Sequence, residues 1–286
     1  MIDSWARSIC LIFPGTRHPM DLSVSTSRNY RVPGGVLGEF VELLWLYDTH
    51  PRAHGQERML PMATTELVID LGGTMANPPI ALVVGPHSEH WALDTSRATT
   101  VIGVHFRPGG AFPFFGVPAG ELHNARVSLD ALWGADAALL VEQVLVGSSP
   151  AGKFDVLERL LLSAARTLTK HPAVNFALRE LSAPLLHGSS ISKVAVAIGM
   201  SQRRFLERFR REVGMSPKLY ARVQRFQAVV ETVHTLRDVN WTEIAATCGY
   251  FDQAHFIHDF RAFSGFTPTQ YFALKGSDLN HVALPG

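Results

Sequence analysis

The spacing of apolar residues divides the chain into two parts. Between residues 30 and 110, short apolar runs alternate with Gly and Pro: 66–71 precedes Gly72, 80–84 precedes Gly85, and 99–106 precedes Pro108. Short runs with such boundaries are typical of antiparallel strands. The pattern therefore predicts a β-rich N-terminal domain, either an antiparallel sheet or a small barrel, and we favour a small cupin-like barrel.

From residue 129 onward the apolar spacing becomes helical, over 129–146 and again over 154–168, with a break at 147–150. Pro172 predicts the end of the second helix, because proline lacks an N–H and restricts the residue before it. We therefore expect an α+β protein with two domains. Residues 1–170 form the β-rich domain with two C-terminal helices, 171–276 an all-α domain, and 277–286 a loose tail.

Two segments about 50 residues apart share one layout: a short helix, a glycine turn, and a capped helix with two phenylalanines four positions apart. A long helical stretch over 217–236 joins them, and it begins with a proline, which is favourable at that position. This layout predicts two helix-turn-helix units. Their structural positions are Ala195, Gly199, Ser201, Phe205, Phe209 and Pro217, followed by Ile244, Ala245, Gly249, Tyr250, Phe256 and Phe260.

Residues 173–273 resemble the AraC/XylS family of transcription regulators. The second unit carries the resemblance in Ile244-Ala245, Cys248-Gly249-Tyr250, Asp252, His255-Phe256, Phe260-Arg261, Gly265, Thr267-Pro268 and Tyr271. The first unit carries it in Ala195, Gly199-Met200-Ser201, Arg203, Phe205, Phe209, Gly214, Ser216-Pro217, Tyr220 and Arg225. The N-terminal part is similar to the sensor half of one subgroup in Leu60-Pro61, Glu66-Leu67 and 106–110.

The resemblance implies that the second helix of each unit enters one of two successive major-groove segments. It places Arg203, Leu206 and Glu207 at the base-reading positions of the first unit, and Gln253, Ala254 and His258 at those of the second. Arg suits guanine, Gln adenine, Glu cytosine, and Leu or Ala a thymine methyl group. Many relatives have Arg or Lys in place of Glu207 and His258, so the bases that are read would differ.

Six basic residues are candidates for contact with DNA phosphates. The alternatives are that Arg203 forms a structural ion pair and that the arginines of 208–211 lie on a solvated helix face. The phosphate candidates are Arg204, Arg208, Arg210, Arg211, Lys218 and Arg261.

The charge distribution agrees with a DNA-binding C-terminal part. The net charge is +1, but residues 1–178 have 13 Lys and Arg against 16 Asp and Glu, whereas 179–276 have 13 against 8. Two cysteines, Cys10 and Cys248, cannot form a disulfide framework. We find no apolar run long enough for a membrane span and no secretory pattern. A cytoplasmic protein is therefore expected, with no membrane partner.

Catalytic motifs such as GxSxG, a P-loop or HExxH are absent from the sequence. We considered a metal site from His87, Glu89, His90 and His105, and a carboxylate pair, Glu66 and Asp70, and we predict no catalytic residue, metal or cofactor. One alternative is a metal-dependent enzyme with a cupin-like barrel and a DNA-binding appendage. Another is a structural DNA-binding protein without a sensor role.

The N-terminal domain is predicted to bind a ligand or to mediate dimerisation. Trp45, Tyr47, Trp91 and Phe106 either line a pocket or belong to the core. The helices at 129–146 and 154–168 either pair between subunits or pack on the barrel. The expected partners are double-stranded DNA, a small-molecule effector, a second copy of the chain and, for an activator, RNA polymerase.

Overall fold

The computed structural model describes residues 28–49, 51–72, 80–182, 191–276 and 278–284. Its strands form two antiparallel sheets, one of six strands in the order β1-β2-β7-β4-β5-β8 and one of three in the order β6-β3-β9. The strands are β1 Arg28–Arg31, β2 Val41–Thr49, β3 Gln56–Met59, β4 Glu66–Asp70, β5 Ala81–Val84, β6 Trp91–Asp94, β7 Thr99–Phe106, β8 Arg126–Ser128 and β9 His281–Ala283.

The predicted α+β class with two domains is confirmed, but the described strands form open sheets and not a closed barrel. Strands β1 and β8 are the two edges of the six-stranded sheet, and no pairing between described strands joins them. The central strand β7 pairs with β2 and β4, and its last six residues are buried. Apolar runs predict individual strands, whereas closure of a barrel depends on whether the two edge strands of the sheet pair with each other.

In the described part of the N-terminal domain, four α-helices follow β7, and the apolar core lies between helices and the six-stranded sheet. Leu67, Val104 and Phe106 of the sheet share this core with Leu140 and Leu157 of the helices. The helices are α1 Phe112–Phe115, α2 Asp130–Trp133, α3 Ala135–Val146 and α4 Pro150–Ala164.

Two helix boundaries in this domain differ from the prediction. The helix expected over 129–146 is divided at Gly134, whose φ is +60° and therefore in a conformation that favours glycine. The second helix begins four residues before the predicted position, since Ser149 caps it by accepting a hydrogen bond from Gly152 N at 3.1 Å. It ends at Ala164, well before Pro172.

The C-terminal domain is helical and is built around α8. Val223, Phe226 and Val230 of α8 are fully buried, and the neighbouring helices pack on them. The helices are α5 Pro172–Ser182, α6 Ile191–Ala197, α7 Gln202–Val213, α8 Pro217–Thr235, α9 Trp241–Thr247, α10 Gln253–Ser264 and α11 Pro268–Leu274. Among the helices described, none has both the length and the apolarity needed to cross a bilayer.

The C-terminal end of the chain returns to the N-terminal domain. Strand β9 pairs with β3, with Glu57 opposite Ala283, and Val282 is fully buried. Leu60 and Ala63, just after β3, join the core of the C-terminal domain. The prediction of a loose tail over 277–286 is therefore wrong for 281–283. The partner strand β3 lies more than 200 residues earlier in the chain, so no pattern within the tail could indicate this pairing.

The predicted domain boundary near residue 170 stays a prediction, although the two cores divide between Leu161 and Val174. Cys10 lies outside the described residues. Cys248 is buried, and burial raises the pKa of its thiol, which agrees with a packing role.

Candidate nucleic-acid interface

The first helix-turn-helix unit consists of α6, a glycine turn and α7. Gly199 has a φ of +65°, and the Oγ of Ser201 accepts a hydrogen bond from Arg204 N at 3.4 Å. Phe205 and Phe209 are fully buried, with their ring centres 5.8 Å apart. The other structural position, Ala195, is also buried. This local structure turns the opposite face of α7 towards solvent.

The second unit has the same layout in α9 and α10. Gly249 has a φ of +77°, and Asp252 caps α10 by accepting a hydrogen bond from His255 N at 2.7 Å. The cap of α9 is Asn240, whose side-chain oxygen accepts a hydrogen bond from Glu243 N. The structural positions Ile244, Ala245, Tyr250, Phe256 and Phe260 are buried.

The helix α8 connects the two units, with Pro217 in its first turn. Its Arg222 donates two hydrogen bonds to Asp259 of α10, Nη2 to Oδ1 at 2.7 Å and Nε to Oδ2 at 3.3 Å. The side chain of Asp259 is 2% exposed, and Arg225 Nη2 lies 3.8 Å from the same Oδ2. The second recognition helix is thus attached to α8 by a buried ion pair as well as by apolar contacts. Pro268, in the first turn of α11, is buried.

The predicted base-reading residues of the first unit lie together at the solvent-facing side of α7. Arg203 Nε donates to Glu207 Oε1 at 3.0 Å, and the two side chains are 89% and 62% exposed. Leu206 is half-buried beside them. The ion-pair alternative for Arg203 is therefore present in the structure. An exposed pair of this kind contributes about 0–1 kcal/mol, so a guanine could replace Glu207 as the partner at little cost.

The predicted base-reading residues of the second unit are also exposed. Gln253 and Ala254 stand in the first turn of α10, and the side chain of His258 is 79% exposed one turn later. Sequence reasoning missed Phe251, which is 94% exposed directly before the cap of this helix. One signal could have found it. The second unit has one residue more than the first between its turn glycine and its first core phenylalanine.

The phosphate candidates fall into two groups. Arg204, Lys218 and Arg261 are exposed, and Arg208 Nη1 lies 3.5 Å from Glu212 Oε1. Arg210 and Arg211 are also exposed, but both touch the N-terminal domain. Arg210 packs its aliphatic stem beside Gly120, and the guanidinium of Arg211 lies 5.5 Å from the ring centre of Phe112.

The N-terminal domain contacts both recognition helices at the same position, the glycine that ends each helix. Gly214, with a φ of +95°, ends α7; a Cβ there would come within 2.4 Å of the Pro86 ring and 3.0 Å of the Ala119 carbonyl oxygen. Gly265, with a φ of +72°, ends α10 and lies against Arg58 and His90. Both helices are therefore held at their C-terminal ends, while their N-terminal turns stay exposed.

Polar contacts also attach the N-terminal domain to the second unit. Arg58 Nη1 donates to the Ser264 carbonyl at 3.2 Å, and its guanidinium lies 4.2 Å from the ring centre of Phe266. His90 Nδ1 donates to the Phe263 carbonyl at 3.2 Å. Burial and the charge of Arg58 lower the pKa of His90.

The four residues suggested for a ligand pocket do not converge. Phe106 lies in the core between sheet and helices, whereas Trp45 and Tyr47 stack on each other at 4.8 Å in a separate cluster of the six-stranded sheet. Trp91 belongs to the three-stranded sheet, with the guanidinium of Arg126 at 4.4 Å from its ring. Core packing accounts for Trp45 and Phe106, which are both buried.

The histidines considered for a metal site have other partners. His105 Nδ1 lies 2.8 Å from Glu66 Oε1, and His87 Nδ1 donates to the Gly85 carbonyl at 2.5 Å. Burial lowers the pKa of His105, but the hydrogen bond and charge of Glu66 outweigh this effect and raise it overall. Over the described ranges, no group of three or more His, Cys, Asp or Glu side chains is arranged to hold a metal.

Comparison with known proteins decides the class of the C-terminal part. Residues 194–273, which include both units, match the family described as helix-turn-helix domain. This is an AraC-type DNA-binding domain. The match supports DNA binding and transcription regulation by this part of the chain. Residues 30–128, ahead of the AraC-type domain, match a domain of unknown function, DUF6597.

Solved structures resemble the chain only distantly. ToxT from Vibrio cholerae is 11% identical, with a TM-score of 0.36 over 88% of this chain and 98% of that chain. A DNA-binding transcriptional dual regulator from Escherichia coli K-12 is 21% identical, with a TM-score of 0.32 over 37% of this chain and 100% of that chain. Both TM-scores are under 0.5, so neither likeness decides domain arrangement or ligand here. No curated protein matches the chain.

Proposed function

We propose that α7 and α10 enter two successive major-groove segments on one face of the DNA, and that the N-terminal domain controls how they are presented. The observation that carries the proposal is the shared orientation of the two units. Each recognition helix exposes its N-terminal turn, the part that contacts base edges in helix-turn-helix proteins, and each is held at its C-terminal glycine.

The first unit would read bases with Arg203, Leu206 and Glu207, and the second with Gln253, Ala254 and His258. Arg204, Lys218 and Arg261 would neutralise phosphates, because their side chains are exposed and near the two units. Arg210 and Arg211 would do so as well, although both also contact the N-terminal domain, at Gly120 and Phe112.

A cleft in the N-terminal domain supports control by a small molecule. It has a volume of about 340 Å³, within the range of ligand sites, and its wall includes Phe115, Trp133, Leu140, Asp136 and Arg166. Helix α1 lines the cleft with Phe114 and Phe115.

The same helix α1 carries Phe112 under Arg211 of α7. A ligand that shifts α1 would therefore change the presentation of α7, provided that it prefers one of the two arrangements. Dimerisation and contact with RNA polymerase remain part of this proposal as further routes of control.

The experiment is a selection of bound sites from random duplex DNA, followed by footprinting of the enriched sequences. The full-length protein is used, because Leu60 and Val282 contribute to the core of the C-terminal domain. We expect two protected major-groove segments about 10 bp apart. Arg203→Ala should weaken binding at one base pair, whereas Lys218→Ala should weaken all sequences alike.

Absence of any enriched sequence would contradict sequence-specific binding. A single protected segment would contradict the use of both units. Equal weakening of all sequences by Arg203→Ala would contradict base reading by that residue.

A further inference from the structure

Phe251 has the highest exposure of any large apolar side chain in the described part of the chain, at 94%. It lies in the turn between α9 and α10, after the buried Tyr250 and before the helix cap Asp252. A phenylalanine ring is a large apolar surface, and leaving it in water forgoes the stabilisation that burial would provide. Single exposed apolar residues are common, so its meaning depends on its surroundings.

Those surroundings are the N-terminal end of the second recognition helix. Phe256 and Phe260 turn one face of α10 inward, so that Ala254 and His258 lie on the outer face. Ile257, 39% exposed, flanks that face. Phe251, Ala254 and Ile257 therefore add apolar surface to this end of the helix, beside the polar side chains of Asp252, Gln253, His255 and His258.

The described part of the N-terminal domain leaves this end of the helix uncovered. Its hydrogen bonds to α10, from Arg58 and His90, go to Ser264 and Phe263 at the opposite end. The first unit has no counterpart of Phe251, since Met200 is followed directly by the cap Ser201. The extra aromatic residue is thus a property of the second unit.

In the major groove, thymine is the base that presents a methyl group, and apolar side chains recognise it by contact. We propose that Phe251 packs against the duplex beside α10 and contacts thymine methyl groups, so that the second unit selects thymine largely by apolar contact. This inference rests on the proposed DNA-binding mode. Duplex DNA is the occupant we favour over a protein partner, because the ring lies at the helix end that would face base edges.

The test measures affinity of the full-length protein for its selected site and for copies in which single thymines of the second half-site are replaced by deoxyuridine. Deoxyuridine lacks the methyl group and keeps the base pair. The variant is Phe251→Ala, and the control is Val146→Ala, which changes a side chain 78% exposed at the end of α3. Thermal unfolding of each variant checks that the fold is intact.

We expect Phe251→Ala to bind about tenfold more weakly, and one deoxyuridine to weaken the wild type by a similar factor. The same deoxyuridine should have almost no further effect on Phe251→Ala, because the two changes remove one contact. The salt dependence of binding should not change, since no phosphate contact is lost.

Full additivity of the two changes would overturn the methyl contact, as would a wild type insensitive to every deoxyuridine. Unchanged affinity of Phe251→Ala would overturn it too, and lost transcription activation with unchanged DNA affinity would assign the ring to a protein partner. In these cases the wild type still binds its site. Failure of the proposed function itself would instead appear as no specific binding by the wild type.

Discussion

The two helix-turn-helix units share a backbone layout but differ in surface chemistry. Helix α7 carries five arginines and two glutamates in twelve residues, whereas α10 carries one arginine, one aspartate and two histidines. The units also differ in attachment. Asp259 in α10 forms a buried ion pair with α8, while Arg208 at the corresponding position of α7 is half-buried beside Glu212. The two units thus have the same backbone layout, but the recognition helix of the first is strongly charged and that of the second is more apolar.

The largest expected effect concerns this difference in attachment. Asp259→Ala leaves Arg222 and Arg225 without their buried carboxylate, and removal of one partner from such a pair is strongly destabilising. Because Arg222 is partly exposed, we expect a loss of about 2–3 kcal/mol in the free energy of unfolding. Arg208→Ala should cost less than about 1 kcal/mol. Urea unfolding of both variants measures the difference, and equal losses would contradict it.

The next comparison is between the glycines that end the recognition helices. An alanine at either has a positive φ, which costs about 1–2 kcal/mol. At Gly214 the new Cβ would also meet the Pro86 ring and a backbone oxygen, whereas at Gly265 it would meet only side-chain atoms, the end of Arg58 and the ring of His90. We therefore expect Gly214→Ala to lower the melting temperature more than Gly265→Ala. A larger decrease for Gly265→Ala would show that the N-terminal domain accommodates an added methyl group more easily at Gly214.

A third comparison separates charge from contact in DNA binding. Replacing Arg204 by Ala should reduce the slope of log affinity against log salt by about 0.9, because one phosphate contact is lost. His258→Ala should leave the slope unchanged and alter base preference, because we place this side chain on a base and not on a phosphate. Titration of binding between 50 and 200 mM salt (about the range in which this effect is large) measures both slopes. A reduced slope for His258→Ala would place that residue on a phosphate.

The smallest expected effect is a pH dependence of stability that arises in the first unit. Burial raises the pKa of the Glu212 carboxyl above its ordinary 4.5, and the backbone N–H of His171 and the charge of Arg208 offset only part of this. A raised carboxyl pKa stabilises the fold below pH 4.5 and loses that contribution as the pH rises through the folded-state pKa.

Glu212→Gln should therefore lose less stability than the wild type when the pH is raised from 4.5. At the corresponding position of the second unit stands Phe263, which does not titrate. Urea unfolding of both proteins across this range checks the prediction, and parallel pH curves would contradict it.

Sequence reasoning found the C-terminal domain well because its signals are local. Gly199, Ser201 and Asp252 determine where turns and helices begin through their own backbone preferences and side-chain hydrogen bonds. Phenylalanines four apart define an inward face without reference to the rest of the chain. The N-terminal domain was harder to predict, since the sequence pattern of a strand does not indicate which other strand it pairs with. The barrel and the pocket of Trp45, Tyr47, Trp91 and Phe106 both depended on such partners.

The amino-acid sequence by itself determined the helical units, their caps, their buried phenylalanines and the basic character of the first recognition helix. All of these follow from residues within a few positions of one another. Only the tertiary structure decided that β9 pairs with β3, that Leu60 enters the C-terminal core, and that the N-terminal domain holds both helix-ending glycines. These contacts join residues far apart in the chain. They depend on shape and packing after folding, which no local pattern contains.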